Sequence, residues 1–569
     1  MRIPIALYLL ALAARLLLII DFPAPAYPDS YYYVDVARSL AAGHGFNVDF
    51  IWIFAEVGGK LPAVPILPIP SNAHWMPLAS IVQVPFMWLL GPTPFASALP
   101  FAIIGSLAAP LAWAIGRDAG VRPSIAVGAG ILTAIPALSL PFMAQPDNFS
   151  LYQPLVAGAL WMAARGLRGH ARSFALGGLL VGLATLSRND GLLVGATFGL
   201  AFLWDRVRAL RSGGERRPAI PVWAAVACFG LFLLIMAPWW WRQLEVFGQL
   251  SPSAASGKVL YIRSIDEWNS ITTPATLDWL LGQGIGPLLI SRILGFVAAV
   301  GIFVTLVGAG LLAPFMVIGG WVRRRSVDFG PFLTYTAILF AFSGLVSAIH
   351  VPGGTFIHSA AALAPHAYLL ALEGIVVAVA WLAARRRRWD REVAIRFFTY
   401  AAIGFAILAA VAGSLGVHAT WRQQQNERLA VSAALDLAGV TGDARLMSID
   451  AAGYDYYTGR GGVVSPNDPI ETIHQVATAY RIEWLIVERA NSVPALGPVF
   501  SGENRPAWIG PRLVAIPGPD GQTAVAIYPI CASATDRRCT ITAGAGESEW
   551  AAIAAGMTRP AIAPTGTRP

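Results

Sequence analysis

Asp29 stands just before Tyr31, Tyr32 and Tyr33; His74 precedes Trp75; Asp147 precedes Asn148. Arg188, Asn189 and Asp190 are consecutive, Arg242 follows three tryptophans, and His350 and His358 lie close together. Carboxylates and imidazoles are the side chains that take and give protons, and the planar fork of arginine is suited to holding anions. Only 13% of the 569 residues are charged and 56% are hydrophobic, whereas an ordinary soluble chain carries about 25% charge. Charge in so apolar a chain is costly and usually functional. The question is which elements bring these clusters to one place.

The chain repeats apolar runs near the ~20 residues needed to cross a ~30 Å hydrocarbon layer, which makes it a polytopic membrane protein. Residues 3–20 form the first run, with no small-residue cleavage site after them, so they read as an uncleaved anchor. The net charge of +8 is not a nucleic-acid footprint, because the basic residues fall in short clusters between apolar runs. These clusters are Arg117 and Arg122; Arg165, Arg168 and Arg172; Arg206 to Arg217; Arg323 to Arg325; and Arg385 to Arg396. With all of them cytoplasmic, each adjacent pair encloses two spans and one outer loop. The runs 123–142, 150–164, 173–186, 191–204, 219–239, 296–322, 329–350 and 360–384, with 3–20, 95–115 and 397–416, give about eleven spans. The N-terminus is then inside and the C-terminus outside, in a bacterial inner membrane. Residues 76–91 would break this parity as a span and are read as an interfacial helix within a long first loop, 21–94. Residues 276–292 read the same way. Most other polar clusters, at Asp29, His74, Asp147, Arg188 to Asp190, and His350 and His358, then fall at outer span ends. An outward-facing site at the lipid boundary suits an enzyme taking a membrane-anchored substrate and a water-side acceptor.

After the transmembrane part, 1–418, the composition changes. A helix is expected at 423–438, strands at 445–450 and 484–488 with a helix at 468–482 between them, and a hairpin turn at 517–522 between 511–516 and 523–530. Residues 419–530 therefore form a small extracytoplasmic α/β domain, and 531–569, rich in Ala, Gly, Thr and Pro, a disordered tail. Cys531 and Cys539 are spaced to close a short loop and would be a disulfide in an oxidising compartment; Cys228 lies in a span.

Pro28-Asp29-Ser30-Tyr31-Tyr32 with Ala37, Leu40, Gly43 and Gly45 resembles the first outer loop of the GT-C fold glycosyltransferases. These include protein O-mannosyltransferases, the aminoarabinose transferase and bacterial oligosaccharyltransferases. His74-Trp75-Met76-Pro77-Leu78 followed by Leu90-Gly91 is similar to a later element of that loop. Gln145-Pro146-Asp147-Asn148 falls where the family's second loop carries its second acid. Leu186 to Gly191 and Ala237 to Arg242 resemble further elements. The resemblance, spread over residues 1–384, implies inverting transfer of a sugar from a polyprenyl-phosphate donor to an acceptor hydroxyl. That hydroxyl would sit on a protein, a glycolipid or a cell-wall glycan. It implies Asp29 as the general base, with Asp147 orienting the acceptor or holding a divalent cation, Mg²⁺ or Mn²⁺, together with Asp29. His74, Trp75, Arg188, Asp190, Arg242 and His358 would be substrate-binding residues; Arg188, His358, Arg242 or Lys60 would meet the leaving phosphate. The second loop carries one acid where the oligosaccharyltransferases carry a pair.

Each residue also has a plainer reading. Asp29 and Asp147 follow prolines and would cap helices, Arg188 and Asp190 would pair with each other, and Tyr31 to Tyr33 would pack. Glu373 and Arg15, both within spans, would pair inside the bundle. Two other functions share the composition: a lipid or solute transporter, and a scaffold or sensor. A transporter would set its charges near the midplane between inverted repeats of broken helices, a pattern the sequence does not show. No Gly-rich phosphate loop opens a helix after a strand, which argues against a nucleotide-sugar donor.

Overall fold

The computed structural model describes residues 2–213, 217–251, 253, 256–347, 355–386 and 388–531. The chain divides into two compact units. Met1–Phe46, Pro70–Trp268 and Thr273–Thr420 form the first; Asn47–Ile69, Asn269–Thr272 and the chain from Trp421 form the second.

The first unit is a helical bundle. By length and composition, six helical stretches among the described residues suffice to cross a membrane: Arg2–Asp21, Pro94–Asp118, Val222–Phe247, Ile285–Val307, Ala364–Ala383 and Arg391–Leu437. The helices Phe149–Leu167, Ala171–Ser187 and Gly191–Arg211 pack among them. The expected run 296–322 is placed differently. Its helix begins at Ile285, and a break at Gly308 to Leu312 separates it from the short helix Ala313–Arg323. Ala309 and Gly310 take φ of 45° and 72° there, the left-handed region that ends a right-handed helix. The expected interfacial helix 276–292 is reduced to Leu277–Gly282, started by Thr276, whose hydroxyl accepts the Trp279 N–H at 3.2 Å. It is stopped by Gly284 at φ 84°.

Helices in lipid gain little from burying apolar surface against one another and associate through close backbone approach at small residues. A Cβ on Gly178 would lie 1.9 Å from the Cys228 carbonyl oxygen; one on Gly319 would lie 1.9 Å from that of Leu370, and one on Gly374 2.0 Å from that of Phe315. Glycine is thus required where Ala171–Ser187 meets Val222–Phe247 and where Ala313–Arg323 meets Ala364–Ala383. Glu373 does not pair with Arg15. It forms an ion pair with Arg323, while Arg15 donates from Nη1 to the carbonyls of Ala11 at 3.1 Å and Ala134 at 3.2 Å.

The first loop opens with the helix Pro28–Ala41. Proline suits a first helical position, where its missing N–H costs nothing, and the Ser30 hydroxyl accepts the backbone N–H groups of Ala26 at 2.9 Å and Tyr27 at 3.0 Å. Tyr31, Tyr32 and Tyr33 are all buried. Residues 76–91 hold two short helices, Leu78–Ile81 and Val84–Leu90, with Trp88 and Leu89 exposed.

The second unit is an α/β domain around a six-stranded sheet. Its strand order is Phe50–Ile51, Gly462–Val464, Leu446–Ser448, Trp484–Glu488, Thr523–Pro529, Val514–Pro517. The first three junctions are parallel and the last two antiparallel. Parallel neighbours need crossover connections, and the helices Ala451–Thr458 and Ile470–Ala479 supply them among Leu446–Ser448, Gly462–Val464 and Trp484–Glu488. The antiparallel pair closes through Gly518, whose N–H donates to the Gln522 carbonyl at 2.8 Å. Phe50–Ile51 comes from the first loop and pairs in register Ile51 to Val463. Cys228 is a buried free thiol, whereas Cys539 and the tail beyond 531 lie outside the described residues, as does His350.

Candidate active site in the first unit

The loops that join the helices of the first unit bring Asp29, Asp147 and His358 together. One ligand atom from each lies within 4.8 Å of the others. Asp29 is the second residue of the helix Pro28–Ala41, Asp147 precedes Phe149–Leu167, and His358 sits in the short helix Thr355–Ala362. His358 Nε2 is 2.8 Å from Asp147 Oδ2 and 3.8 Å from Asp29 Oδ2. An ionised carboxylate only accepts hydrogen bonds, so Nε2 carries the proton that points at Asp147. The imidazole stacks on Phe149 at 4.0 Å and 27°.

The two carboxylates have unequal surroundings. Asp147 is wholly buried. It accepts from the Tyr27 hydroxyl at 2.9 Å, from the Asn148 backbone N–H at 2.5 Å and from His358. Burial works against its charge, but His358 and these donors hold its carboxyl below the ordinary range. Asp29 keeps a third of its side chain exposed, and its Oδ1 accepts the Trp75 indole N–H at 2.9 Å. Its low-dielectric setting and then the Asp147 charge raise its carboxyl above the ordinary range, outweighing His358. A pair of acids pushed in opposite directions is one in which one stays charged and the other takes protons.

Trp75 is largely buried, stacked on Tyr32 at 4.2 Å; it holds Asp29 from one side. Tyr33 takes the Asn148 side-chain amide N–H at 2.5 Å, and the Ser187 hydroxyl donates to the other end of that amide at 3.1 Å.

Arg188 lies in the tight turn between Ala171–Ser187 and Gly191–Arg211. Glycine is needed at 191 because a Cβ there would meet the Thr185 backbone N at 2.5 Å. Arg188 and Asp190 do pair, Nε to Oδ1 at 2.9 Å, and Asp190 also accepts from the Ser359 hydroxyl, beside His358. His74 meets the Ser256 hydroxyl at 2.9 Å through Nδ1, and Ser256 takes the Asn189 amide at 3.3 Å. Burial and then the Arg188 charge lower His74 to about 4, so it is a neutral hydrogen-bonding group and not a cation. Arg242 has a different occupation. Its Nη2 donates to the Ser71 carbonyl at 2.9 Å and the Phe46 carbonyl at 3.4 Å, and its guanidinium lies over Phe46 and Trp239. It clamps the first loop. Lys60 is an exposed residue of the second unit.

Tyr27 and Ser359 complete the cluster and carry no sequence signal; a tyrosine before a proline and a serine beside a histidine are unremarkable. As a donor set, two carboxylates and one imidazole nitrogen fit a divalent cation. His358 Nδ1 is buried and finds no hydrogen-bond partner among the described residues, so the ring is held by its stack on Phe149 and by Asp147.

No protein-family model matches the chain. No curated protein matches it in sequence. Its fold does match solved structures. The Archaeoglobus fulgidus oligosaccharyltransferase in complex with Zn and sulfate is 15% identical, with 91% of this chain and 72% of that chain covered at a TM-score of 0.53. The oligosaccharyltransferase AglB of the same organism, in complex with an inhibitory peptide and a dolichol-phosphate, is 15% identical over 94% of this chain and 74% of that one, at 0.52. ArnT from Cupriavidus metallidurans bound to undecaprenyl phosphate is 13% identical over 93% of this chain and 98% of that one, also at 0.52. The fold is that of the GT-C glycosyltransferases, which are polytopic membrane proteins.

Proposed function

We propose that the protein is a membrane glycosyltransferase that moves a sugar from a polyprenyl-phosphate donor to an acceptor hydroxyl, with inversion, on the extracytoplasmic face of a bacterial inner membrane. The observation that carries this reading is the cluster of Asp29, Asp147 and His358 within 4.8 Å, in which the more exposed carboxyl is also the one raised above the ordinary range by burial and the Asp147 charge. The fold supports it: solved proteins of the same fold hold a dolichol-phosphate or undecaprenyl phosphate.

An acceptor hydroxyl is a weak nucleophile near neutral pH, so its proton must leave as its oxygen attacks. Asp29 Oδ2 takes that proton while the acceptor oxygen bonds to the sugar C1 from the face opposite the phosphate. The bond from C1 to the phosphate oxygen breaks, and its electron pair goes to the lipid phosphate. Arg188, oriented by Asp190, answers the charge that develops there. Asp147 stays ionised and, through His358, fixes the distance between the two halves of the site. Asp29 and Asp147 would hold a divalent cation, Mg²⁺ or Mn²⁺, joined by His358 once its Nε2 proton has left, and when bound it supplies Lewis-acid stabilisation of phosphate oxygens. The acceptor belongs to a protein, a glycolipid or a cell-wall glycan.

The test is donor use. Purified protein is given radiolabelled polyprenyl-phosphate sugars and, separately, nucleotide sugars, each with hydroxyl acceptors. Transfer is expected from the lipid donor alone. Transfer from a nucleotide sugar with no lipid intermediate overturns the assignment.

A further inference from the structure

The helix Gly191–Arg211 starts beside Asp190 and carries Arg208 near its other end. At a ~1.5 Å rise per residue, Arg208 lies about 27 Å from Asp190 along the axis, close to one hydrocarbon thickness. At that far end a cavity of about 650 Å³ opens between this helix and Gly330–Ala341. Its walls are apolar, Leu200 and Trp204 on one side and Leu333 on the other, and its rim holds Arg208, Arg324 and Arg325. Leu200 and Trp204 are 46% and 45% exposed, so the cavity faces the outside of the bundle, where lipid lies.

Among the described residues no carboxylate pairs with any of the three arginines. Arg208 rests over the Trp204 ring at 4.4 Å; Arg324 rests over the Trp321 ring at 4.2 Å and donates to the Trp321 carbonyl at 2.7 Å. Carboxylates on the same segments are engaged elsewhere: Asp328 meets Arg168 at 3.2 Å, and Asp205 accepts the Ile220 N–H at 2.9 Å. Three uncompensated guanidinium groups at a membrane boundary attract an anion, and their forked geometry matches phosphate. A free anion has no use for the apolar walls; an amphiphile uses both halves. Basic pockets between transmembrane helices are places where anionic headgroups bind.

We propose that this cavity binds an anionic phospholipid, its phosphate on Arg208, Arg324 and Arg325 and its acyl chains along Leu200 and Trp204. The site is separate from the acid cluster and stands whatever reaction that cluster performs; its placement in the cytoplasmic leaflet rests on the orientation that the arginine clusters imply.

Full-length protein in phosphatidylcholine nanodiscs or a zwitterionic detergent is titrated with phosphatidylglycerol, with phosphatidylcholine and with inorganic phosphate, and followed by thermal unfolding and native mass spectrometry. Phosphatidylglycerol should raise the unfolding temperature and remain bound. The variant Arg208→Gln/Arg324→Gln/Arg325→Gln should bind it about tenfold or more weakly. A control with the same charge change elsewhere, Arg385→Gln/Arg386→Gln/Arg388→Gln, should bind as wild type. Thr334→Trp, which fills the cavity and leaves the charge alone, should weaken binding as well. Equal losses in the triple variant and the control would reduce the effect to net charge and overturn the proposal. So would phosphatidylcholine or inorganic phosphate matching phosphatidylglycerol, or both pocket variants retaining wild-type binding.

Discussion

Asp29 and Asp147 are the same side chain, within 4.8 Å of one another, and their neighbours divide the work between them. Asp147 is saturated with donors and sealed from solvent; Asp29 has one oxygen held by Trp75 and keeps a third of its side chain exposed. Asp29→Asn keeps size and hydrogen bonding and removes the proton acceptor. Transfer is expected to fall by about 10²–10⁴-fold, the usual range for a general base, with normal membrane insertion; activity within a few-fold of wild type would exclude Asp29 from that role. Arg188 offers a graded test. Arg188→Ala removes the cation and leaves the half-buried Asp190 without its ion-pair partner, whereas Arg188→Lys keeps a charge and loses the fork. A charged hydrogen bond contributes about 1.5–3 kcal/mol, so the alanine variant should lose roughly 10–100-fold in kcat/KM for the lipid donor, and the lysine variant less. Equal losses in the two would mean that the fork, and not the charge, is what the donor needs.

Helices place these residues, and glycines let the helices come close enough to do so. Ala313–Arg323 and Ala364–Ala383 touch backbone to backbone at Gly319 and Gly374, and the second of these helices follows directly on the one that carries His358. Gly319→Ala with Gly374→Ala must push the pair apart, since a Cβ at either position would sit about 2 Å from a carbonyl oxygen. Overpacking of this kind costs typically ~1–3 kcal/mol per site. The double variant should show a clearly lower unfolding temperature in detergent, while Gly199→Ala, where a Cβ meets nothing within 4 Å, should not. Unchanged stability in the double variant would mean that the close helix contact is not a feature of the folded protein. The break after Val307 is also local: Gly310 takes its left-handed φ without steric cost, and Ala309 is carried into that region beside it.

At the scale of the whole molecule, the paired arginine clusters set an orientation that can be read out directly. A cysteine introduced at Glu503, an exposed position of the second unit, should react with a membrane-impermeant maleimide in intact spheroplasts. Reaction only after lysis would invert the orientation and move the acid cluster to the wrong side for a polyprenyl-phosphate sugar presented outside. Under the same orientation, non-reducing digestion should recover Cys531 and Cys539 on one linked fragment.

Much of this was legible in the residues themselves. Apolar runs, arginine clusters and the change in composition near His418 follow from local chemistry, because water and lipid sort residues by polarity wherever they stand in the chain. Asp29, Asp147 and Arg188 stood out for the same reason: charge is scarce in this chain and conspicuous. The strands Leu446–Ser448 and Trp484–Glu488 announced themselves as short buried apolar runs. What the sequence could not determine was which distant groups meet. His358 reaches Asp147 across 211 residues, and Trp75 reaches Asp29 across 46. Arg242, expected from the sequence as a substrate-binding residue, also holds the carbonyls of Phe46 and Ser71. Phe50–Ile51, two residues long, has no periodicity to detect and becomes a strand only because Gly462–Val464 offers an edge beside it. Spacing along a chain encodes which face of a helix or strand a residue occupies; the partner on another element is chosen by packing, and packing exists only once the chain has folded.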